Sequence, residues 1–311
     1  MRKNFLISAV LLAAMILAPL TSMSRNSGPE KKETENKRET VSVLLSANGQ
    51  VKDIDEREYL TGALAAEMDM SFHEEALKAQ AVACFTYMKY QRNHNSTDGA
   101  DVSDDSTTCQ GYINEEERKE KWKDKYDEYE QKAEKIVDSV LGTTMMYDAE
   151  PILAVYHELN SGSTESAETV WGKDYPYLKE TQSAGDRLSP DYSKTVVLSP
   201  SDFMSCAVKI KDVKLDNDFT KWVSDIEKND SGYVRSLKLG GVRITGAEFR
   251  NSFNLNSCNF TVDVKQDNVT IKTLGKGHFV GMSQYGADYM ARNGSNYEEI
   301  LSHYYQNVEI I

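Results

Sequence analysis

Residues 56–93 read EREYLTGALAAEMDMSFHEEALKAQAVACFTYMKYQRN, and the placement of one acid in this stretch organises the reading of the chain. Glu67 closes the segment YLTGALAAEM, which is otherwise apolar or small. Leu64, Ala63 and Leu60 stand three, four and seven residues before it, so a helix here puts the Glu67 carboxyl on its apolar face. A second helix is expected after Asp69–Ser71, with Ser71 as its N-cap and Glu74 three positions on. Two helices packed at that joint leave the carboxyl poorly hydrated. Desolvation raises a carboxyl pKa, which is what a general acid needs near neutral pH. The plainer alternative is a helix-end carboxylate turned out to solvent.

Composition bounds the rest. The chain has 311 residues, 40% of them apolar and 27% charged, enough for one large domain or two small ones with a real core. A net charge of −13 argues against nucleic acid, whose phosphates reward Lys and Arg. It equally argues against holding an anionic polymer by bulk attraction, so such a polymer would need a shaped groove. Cys84, Cys109, Cys206 and Cys258 form no CxxC pair, and three pairings stay open.

Arg2 and Lys3 precede the uncharged run Phe5–Leu20, after which the chain turns polar at Thr21. The run is short for a spanning helix and carries Pro19 near its end. It has no clear A-x-A cleavage pattern, and no cysteine stands just after it that could carry a lipid. Residues 1–24 are therefore read as an uncleaved signal anchor, with a cleaved signal peptide as the alternative. Positive charge inside places the remainder of the chain outside the cytoplasm. Arg25–Thr40 lacks any large apolar residue and reads as a polar tether, leaving 41–311 as the folded domain.

Within that domain, Val41–Leu45 and Gln50–Ile54 are expected as strands about an Asn48-Gly49 turn. The Glu67 helix and a Glu74–Asn93 helix come next, then a loop over His94–Asp105. Trp122, Tyr126, Tyr129, Ala133, Ile136 and Val140 step by threes and fours and predict one long helix over Glu115–Leu141, capped at Gly142. Such a stripe reads as core rather than as a platform for sugars. Thr143–Tyr147, Ile152–His157, Val234–Leu239, Val242–Ile244, Phe260–Lys265 and Val269–Lys272 are expected as strands, with Gly246–Phe253, Gly281–Asn293 and Tyr297–Tyr304 as helices. Segregated helices and antiparallel-looking strands predict an α+β fold.

Several blocks carry a resemblance. Glu67-Met68, Glu75–Ala83 and Thr86-Tyr87 resemble the opening motif of the stage II sporulation protein D family of cell-wall enzymes. Ala154–His157, Ser161-Gly162, Ser166–Glu168 and Val170–Gly172 resemble its middle block, and Pro176–Lys179 the next. Gly275–His278 and Val280–Ala287 resemble its last block. The blocks keep the family's order from Val41 to Ile311.

The resemblance implies a lytic transglycosylase of peptidoglycan, built as helices and an antiparallel or mixed sheet around a concave glycan-binding cleft. Ordinary glycosidases need two carboxylates, but this reaction needs one, and the sequence offers Glu67. The implied substrate is glycan stripped of stem peptides, cut to 1,6-anhydro-muramyl products during forespore engulfment, with no cofactor. Implied partners are stage II sporulation protein P, an amidase, and stage II sporulation protein M. The implied location is the mother-cell membrane, single-pass, with the domain facing the intermembrane space. Two other readings stand beside it: a non-catalytic enhancer of a wall amidase, and a purely structural wall-binding module, which leaves Glu67 without a task.

Candidate substrate contacts come from the same blocks. Tyr177 and Lys179 alternate in a Pro-led extended segment and are expected to face one surface, the ring stacking on sugar and the ammonium meeting a lactyl carboxylate. His157 and Ser161 belong to the middle block. In the last block His278 stands after closely spaced glycines, and Ser283, Gln284 and Tyr285 offer groups suited to sugar hydroxyls and N-acetyl groups. The chain departs from the family at Phe85, where arginine is usual. Some relatives carry zinc ligands in the loop matching His94–Cys109. Here Ser103 and Cys109 occupy the cysteine-like positions, and His94, Asp101, Asp104, Asp105 and Cys109 make a poor zinc set, so no metal is expected.

Overall fold

The folded chain opens on the expected hairpin. In the computed structural model, which describes residues 39–94, 99–105 and 107–311, strand β1 (Thr40–Leu45) pairs antiparallel with β2 (Gln50–Asp55). Gly49 takes φ +69°, a left-handed value that favours glycine, and both Asn48 and Gly49 donate their N–H to the Leu45 carbonyl. A short β3 (Val102–Ser103) adds in parallel to β1. The expected anchor, and the tether up to residue 38, lie outside the described residues. The tether's last two residues already belong to the fold: Glu39 pairs with Lys89 at 3.0 Å and Thr40 opens β1. Among the described residues no helix is long and apolar enough to cross a membrane.

Asp55 caps helix α1 (Glu56–Glu67), accepting from the Arg57 N–H at 3.1 Å. Helix α2 (Glu74–His94) buries an alanine-rich surface, including Ala76, Ala79, Ala81 and Ala83, against α1 and later helices. Small side chains let the backbones approach closely. Ser71 is not the N-cap of α2. Its N–H goes to Asp69 Oδ1 at 2.7 Å in an Asx turn, and His73 takes the cap, its Nδ1 accepting from the Glu75 N–H at 3.2 Å.

The long helix expected over 115–141 is broken. Helix α3 (Glu115–Trp122) ends in a 3₁₀ turn at Lys123–Lys125, where Lys123 adopts φ +48°, and α4 (Tyr126–Val140) then begins. The stripe is core nonetheless: Trp122, Ala133, Ile136 and Val140 are buried, with Tyr126 and Tyr129 packed against them. The break lets Arg118, itself fully buried, meet Glu58 on α1 and Glu130 on α4 at 3.0 and 2.7 Å. A buried guanidinium needs such partners, and losing one would leave an uncompensated charge.

Strands β4 (Met145–Tyr147) and β5 (Glu150–Pro151) form a small hairpin, joined by β14 (Glu309–Ile310) at the end of the chain. The strand expected over Ile152–His157 shrinks to β6 (Tyr156–His157), because residues 152–155 find no sheet partner while Ile152 and Ala154 bury in the core. β6 pairs in parallel with β13 (Met282–Ser283), so the helix expected from Gly281 starts late, as α8 (Gln284–Arg292). Helices α5 (Ala167–Trp171) and α9 (Tyr297–Tyr304) complete this part.

Residues 193–274 gather a second core. Two three-stranded antiparallel sheets are built from β7 (Ser193–Leu198), β8 (Val223–Lys228), β9 (Val234–Leu239), β10 (Val242–Thr245), β11 (Phe260–Val264) and β12 (Val269–Leu274), in the orders β10-β9-β8 and β11-β12-β7. With α6 (Pro200–Ala207) and α7 (Gly246–Ser252) they enclose Phe203, Trp222, Phe249 and Phe260. Sequence patterning missed β7, α6 and β8. β7 and β8 are largely exposed, so they carry little apolar alternation. The whole is a mixed α+β protein with several small sheets, as expected.

Candidate active site

Glu67 ends α1 with its carboxyl half-buried. Leu60, Ala63 and Leu64 are fully buried on the face it shares, as the spacing required. One oxygen, Oε1, accepts a short hydrogen bond from the Gly111 N–H, and the Tyr156 hydroxyl bonds the same carboxyl. Burial pushes the Glu67 pKa above the usual carboxyl range; the Gly111 and Tyr156 bonds and the nearby Lys121 charge oppose the shift without cancelling it.

Two glycines bring the partner segment this close. A Cβ at Gly62 would lie 2.4 Å from the Ile113 carbonyl, and one at Gly111 would lie 3.1 Å from Glu67 Oε1. Segment 110–113 therefore lies directly on α1. Gln110 locks it there, its Nε2 donating to the Tyr59 hydroxyl at 2.8 Å and the Cys84 carbonyl at 3.1 Å. The Tyr156 hydroxyl stands 3.4 Å from Gln110 Oε1 and so joins that segment to Glu67.

The carboxyl borders a surface cavity of about 530 Å³ whose walls include Tyr87, Gln110, Tyr156, Trp171 and His278. Glu67 is the only acid among its described lining residues, and no Lys or Arg is among them. Trp171 is 43% exposed, and its ring centroid lies 5.4 Å from that of His278. Burial, with the Arg250 charge, lowers the His278 pKa to about 4, so the ring is neutral at pH 7, and its Nδ1 accepts from the Val280 N–H.

Of the substrate-contact candidates, His278 alone lines this cavity. His157 is buried behind it, ring centroids 5.8 Å apart, with Nδ1 at 3.2 Å from the Val280 carbonyl, and burial holds it neutral. Ser161 is buried, its carbonyl accepting from the Tyr192 hydroxyl at 3.0 Å. Ser283 caps α8 and donates to the buried Asp186 at 2.5 Å. Gln284 reaches back to α1, donating to the Glu67 carbonyl and to Gln80 Oε1. Tyr285 is half-buried, and its N–H donates to the Glu158 carbonyl.

The expectation that Tyr177 and Lys179 face one surface is corrected. Tyr177 is 6% exposed, packed between Tyr147 and Tyr175, and its hydroxyl accepts from the Leu153 N–H at 3.1 Å. Lys179 is partly exposed and paired with Asp174. The segment is a turn, not a strand, so period-two alternation does not apply. Patterning overlooked Trp171, Tyr156, Gln110 and Gly111 as site residues. An exposed tryptophan after a small-residue loop was the available signal; the others are brought in by tertiary contacts.

The loop donors do not assemble for zinc. His94 stacks on Tyr90, Asp101 pairs with Arg92, Asp104 accepts from the Ser46 N–H and Asp105 from the Thr107 N–H. Cys109 alone of them lines the cavity. Among the described residues no group of three or more His, Cys, Asp or Glu is gathered to hold a metal ion. Phe85 is buried under the Lys89 ammonium and lines a different depression, beside Glu39 and Glu56, so the departure from arginine falls outside the Glu67 cavity.

The geometry defines an α+β protein with one desolvated carboxyl at the wall of a polar, aromatic-edged cavity. The chain belongs to the stage II sporulation protein D family. Residues 46–147 match the family model described as stage II sporulation protein. Stage II sporulation protein D of Bacillus subtilis (strain 168) is 35% identical over 278 residues, covering 87% of this chain and 78% of that protein. Its counterpart in Bacillus amyloliquefaciens shows the same identity and coverage. The amidase enhancer of Bacillus subtilis (strain 168) is 26% identical over 298 residues, 79% of this chain but 39% of that protein.

Proposed function

We propose that this chain is a sporulation protein acting as a lytic transglycosylase on peptidoglycan, with Glu67 as its acid and base. The observation that carries the reading is the raised pKa of Glu67 in a cavity with no second acid among its described lining residues. Two-carboxylate hydrolysis needs a second group that the described lining residues of this cavity do not supply. In the proposed step, protonated Glu67 gives its proton to the glycosidic oxygen as the bond from the muramyl C1 breaks. The carboxylate then takes the proton of that sugar's 6-hydroxyl as O6 bonds to C1. The anhydro ring closes, no water is consumed, and Glu67 ends protonated again. Neutral His278 and the exposed Trp171 face would orient the sugar.

In this reading the substrate is strands freed of stem peptides, which implies an amidase upstream, the role the family resemblance gives to stage II sporulation protein P, with stage II sporulation protein M as a membrane partner. Residues 1–38 would tether the domain to the mother-cell membrane during engulfment. The likeness to an amidase enhancer supports a second reading, a modulator that binds without cutting. Mass spectrometry of peptide-free strands after digestion separates them. Anhydro-muramyl ends formed by the wild type and lost in Glu67→Gln support transglycosylation; their absence from the wild type sinks it.

A further inference from the structure

A second cavity, of about 350 Å³, shares Glu67 with the first and no other residue. It lies against the end of α1 and the 3₁₀ break between α3 and α4, and Lys121, Lys125, Tyr129 and Asp69 line it. The Lys121 ammonium donates to the Ala65 and Ala66 carbonyls at 2.6 and 3.4 Å, answering the unpaired carbonyls at the end of α1. The Lys125 ammonium donates to the Tyr129 hydroxyl at 3.1 Å and stands 5.3 Å over its ring. Asp69 already accepts from the Ser71 N–H. Lys121 and Lys125 thus share this cavity with Asp69, already engaged, and with Glu67, which burial holds toward its neutral form, whereas the first cavity has no Lys or Arg among its described lining residues.

We infer that this second cavity is a subsite for a carboxylate-bearing sugar of the strand that crosses Glu67, its anion read by Lys121 and Lys125. The inference rests on the proposed function for the identity of the polymer. Glu67 is the one lining residue the two cavities share, so a strand lying across it would reach into both. On a peptide-free strand each muramyl unit ends its lactyl ether in a carboxylate. On an unprocessed strand that carbon is an amide, uncharged and continued by peptide. A lysine pair beside the acid therefore distinguishes the two by charge. Lys179, the sequence-level candidate for this contact, is held by Asp174 and lines neither cavity.

The test measures binding of peptide-free strands to Glu67→Gln protein, with the lactyl carboxylates either free or converted to primary amides. Amidation should weaken binding about tenfold, the scale of one charged hydrogen bond. Adding Lys125→Gln should shrink the difference severalfold, leaving only the share that Lys121 supplies, and Lys125→Arg should keep it. Lys121 is left intact because its ammonium also holds the end of α1. Equal binding of free and amidated strands by the parent overturns the inference without recourse to any variant. So does full discrimination retained by a Lys125→Gln protein that melts as its parent does. Wild-type protein that discriminates the two strands but releases no anhydro product leaves the subsite standing and removes the transglycosylase reading. A chain that binds neither strand overturns both.

Discussion

The side-chain amide of Gln284, at the start of α8, donates a 3.0 Å hydrogen bond to the backbone carbonyl of Glu67, 217 positions earlier. The same nitrogen lies 3.2 Å from Gln80 Oε1 on α2, so three helices meet at the residue that carries the acid. The amide is thus bonded to the backbone of the residue that carries the carboxyl, where it can fix that residue's position. Gln284→Leu leaves two buried acceptors without their donor, at a cost of about 1–3 kcal/mol. A lowered melting temperature together with slower release of anhydro product is expected. Weakened strand binding with an unchanged melting temperature would return Gln284 to substrate contact.

Glu67→Gln should keep the fold and lose ~10²–10⁴ in rate, the usual contribution of a positioned acid. Because burial raises the Glu67 pKa, the acid form persists above the normal carboxyl range near ~4.3. The rate should fall as pH rises through that higher value. Gly111→Ala would crowd Glu67 Oε1 and Ala66 Cβ, at 3.1 and 3.2 Å, and loosen the N–H bond that lowers the pKa. The falling limb should then move to still higher pH, read from initial rates across a buffer series.

Trp171, rather than Tyr177, should supply the aromatic contact to the strand. Trp171→Ala removes a ring that is 43% exposed at the cavity wall. It should weaken strand binding several-fold while stability stays within about 0.5 kcal/mol. Tyr177→Phe removes the acceptor of the Leu153 N–H and should destabilise by about 1 kcal/mol with binding unchanged. Calorimetric melting and strand binding on the same two proteins decide it.

Asp186 supplies a pH signature of the fold. Fully buried, it accepts from the Asn160 N–H and from Ser183 and Ser283, and burial raises its pKa to about 6. Its unfolded value is near ~3.9. Between those values the folded state keeps a proton that the unfolded state releases, so its contribution is full below pH ~4 and is lost as pH rises to about 6. The loss is on the order of 3 kcal/mol. In Asp186→Asn the wild-type decline in melting temperature over this window should flatten; an equal decline in both proteins refutes the assignment.

The acid and its helix are legible from the residues alone. Apolar spacing at Leu60, Ala63 and Leu64 puts Glu67 on the apolar face of its helix, leaving its exposure open, and local chemistry sufficed for the Asn48-Gly49 hairpin, the two alanine-rich helices and the core stripe from Trp122 to Val140. These features depend on near neighbours along the chain. The surroundings of the carboxyl were settled instead by long-range packing. Gly111, Tyr156 and Gln284 reach Glu67 from 44 or more positions away, through a glycine-permitted backbone approach, a parallel two-residue bridge and a helix start that no periodicity marks. The same holds for Tyr177, which sits in a motif but is taken into the core by Leu153, Tyr147 and Tyr175. Periodicity reports which face of one element is apolar. It cannot report which distant element covers that face, and that covering sets the pKa of Glu67 and the shape of the two cavities it joins.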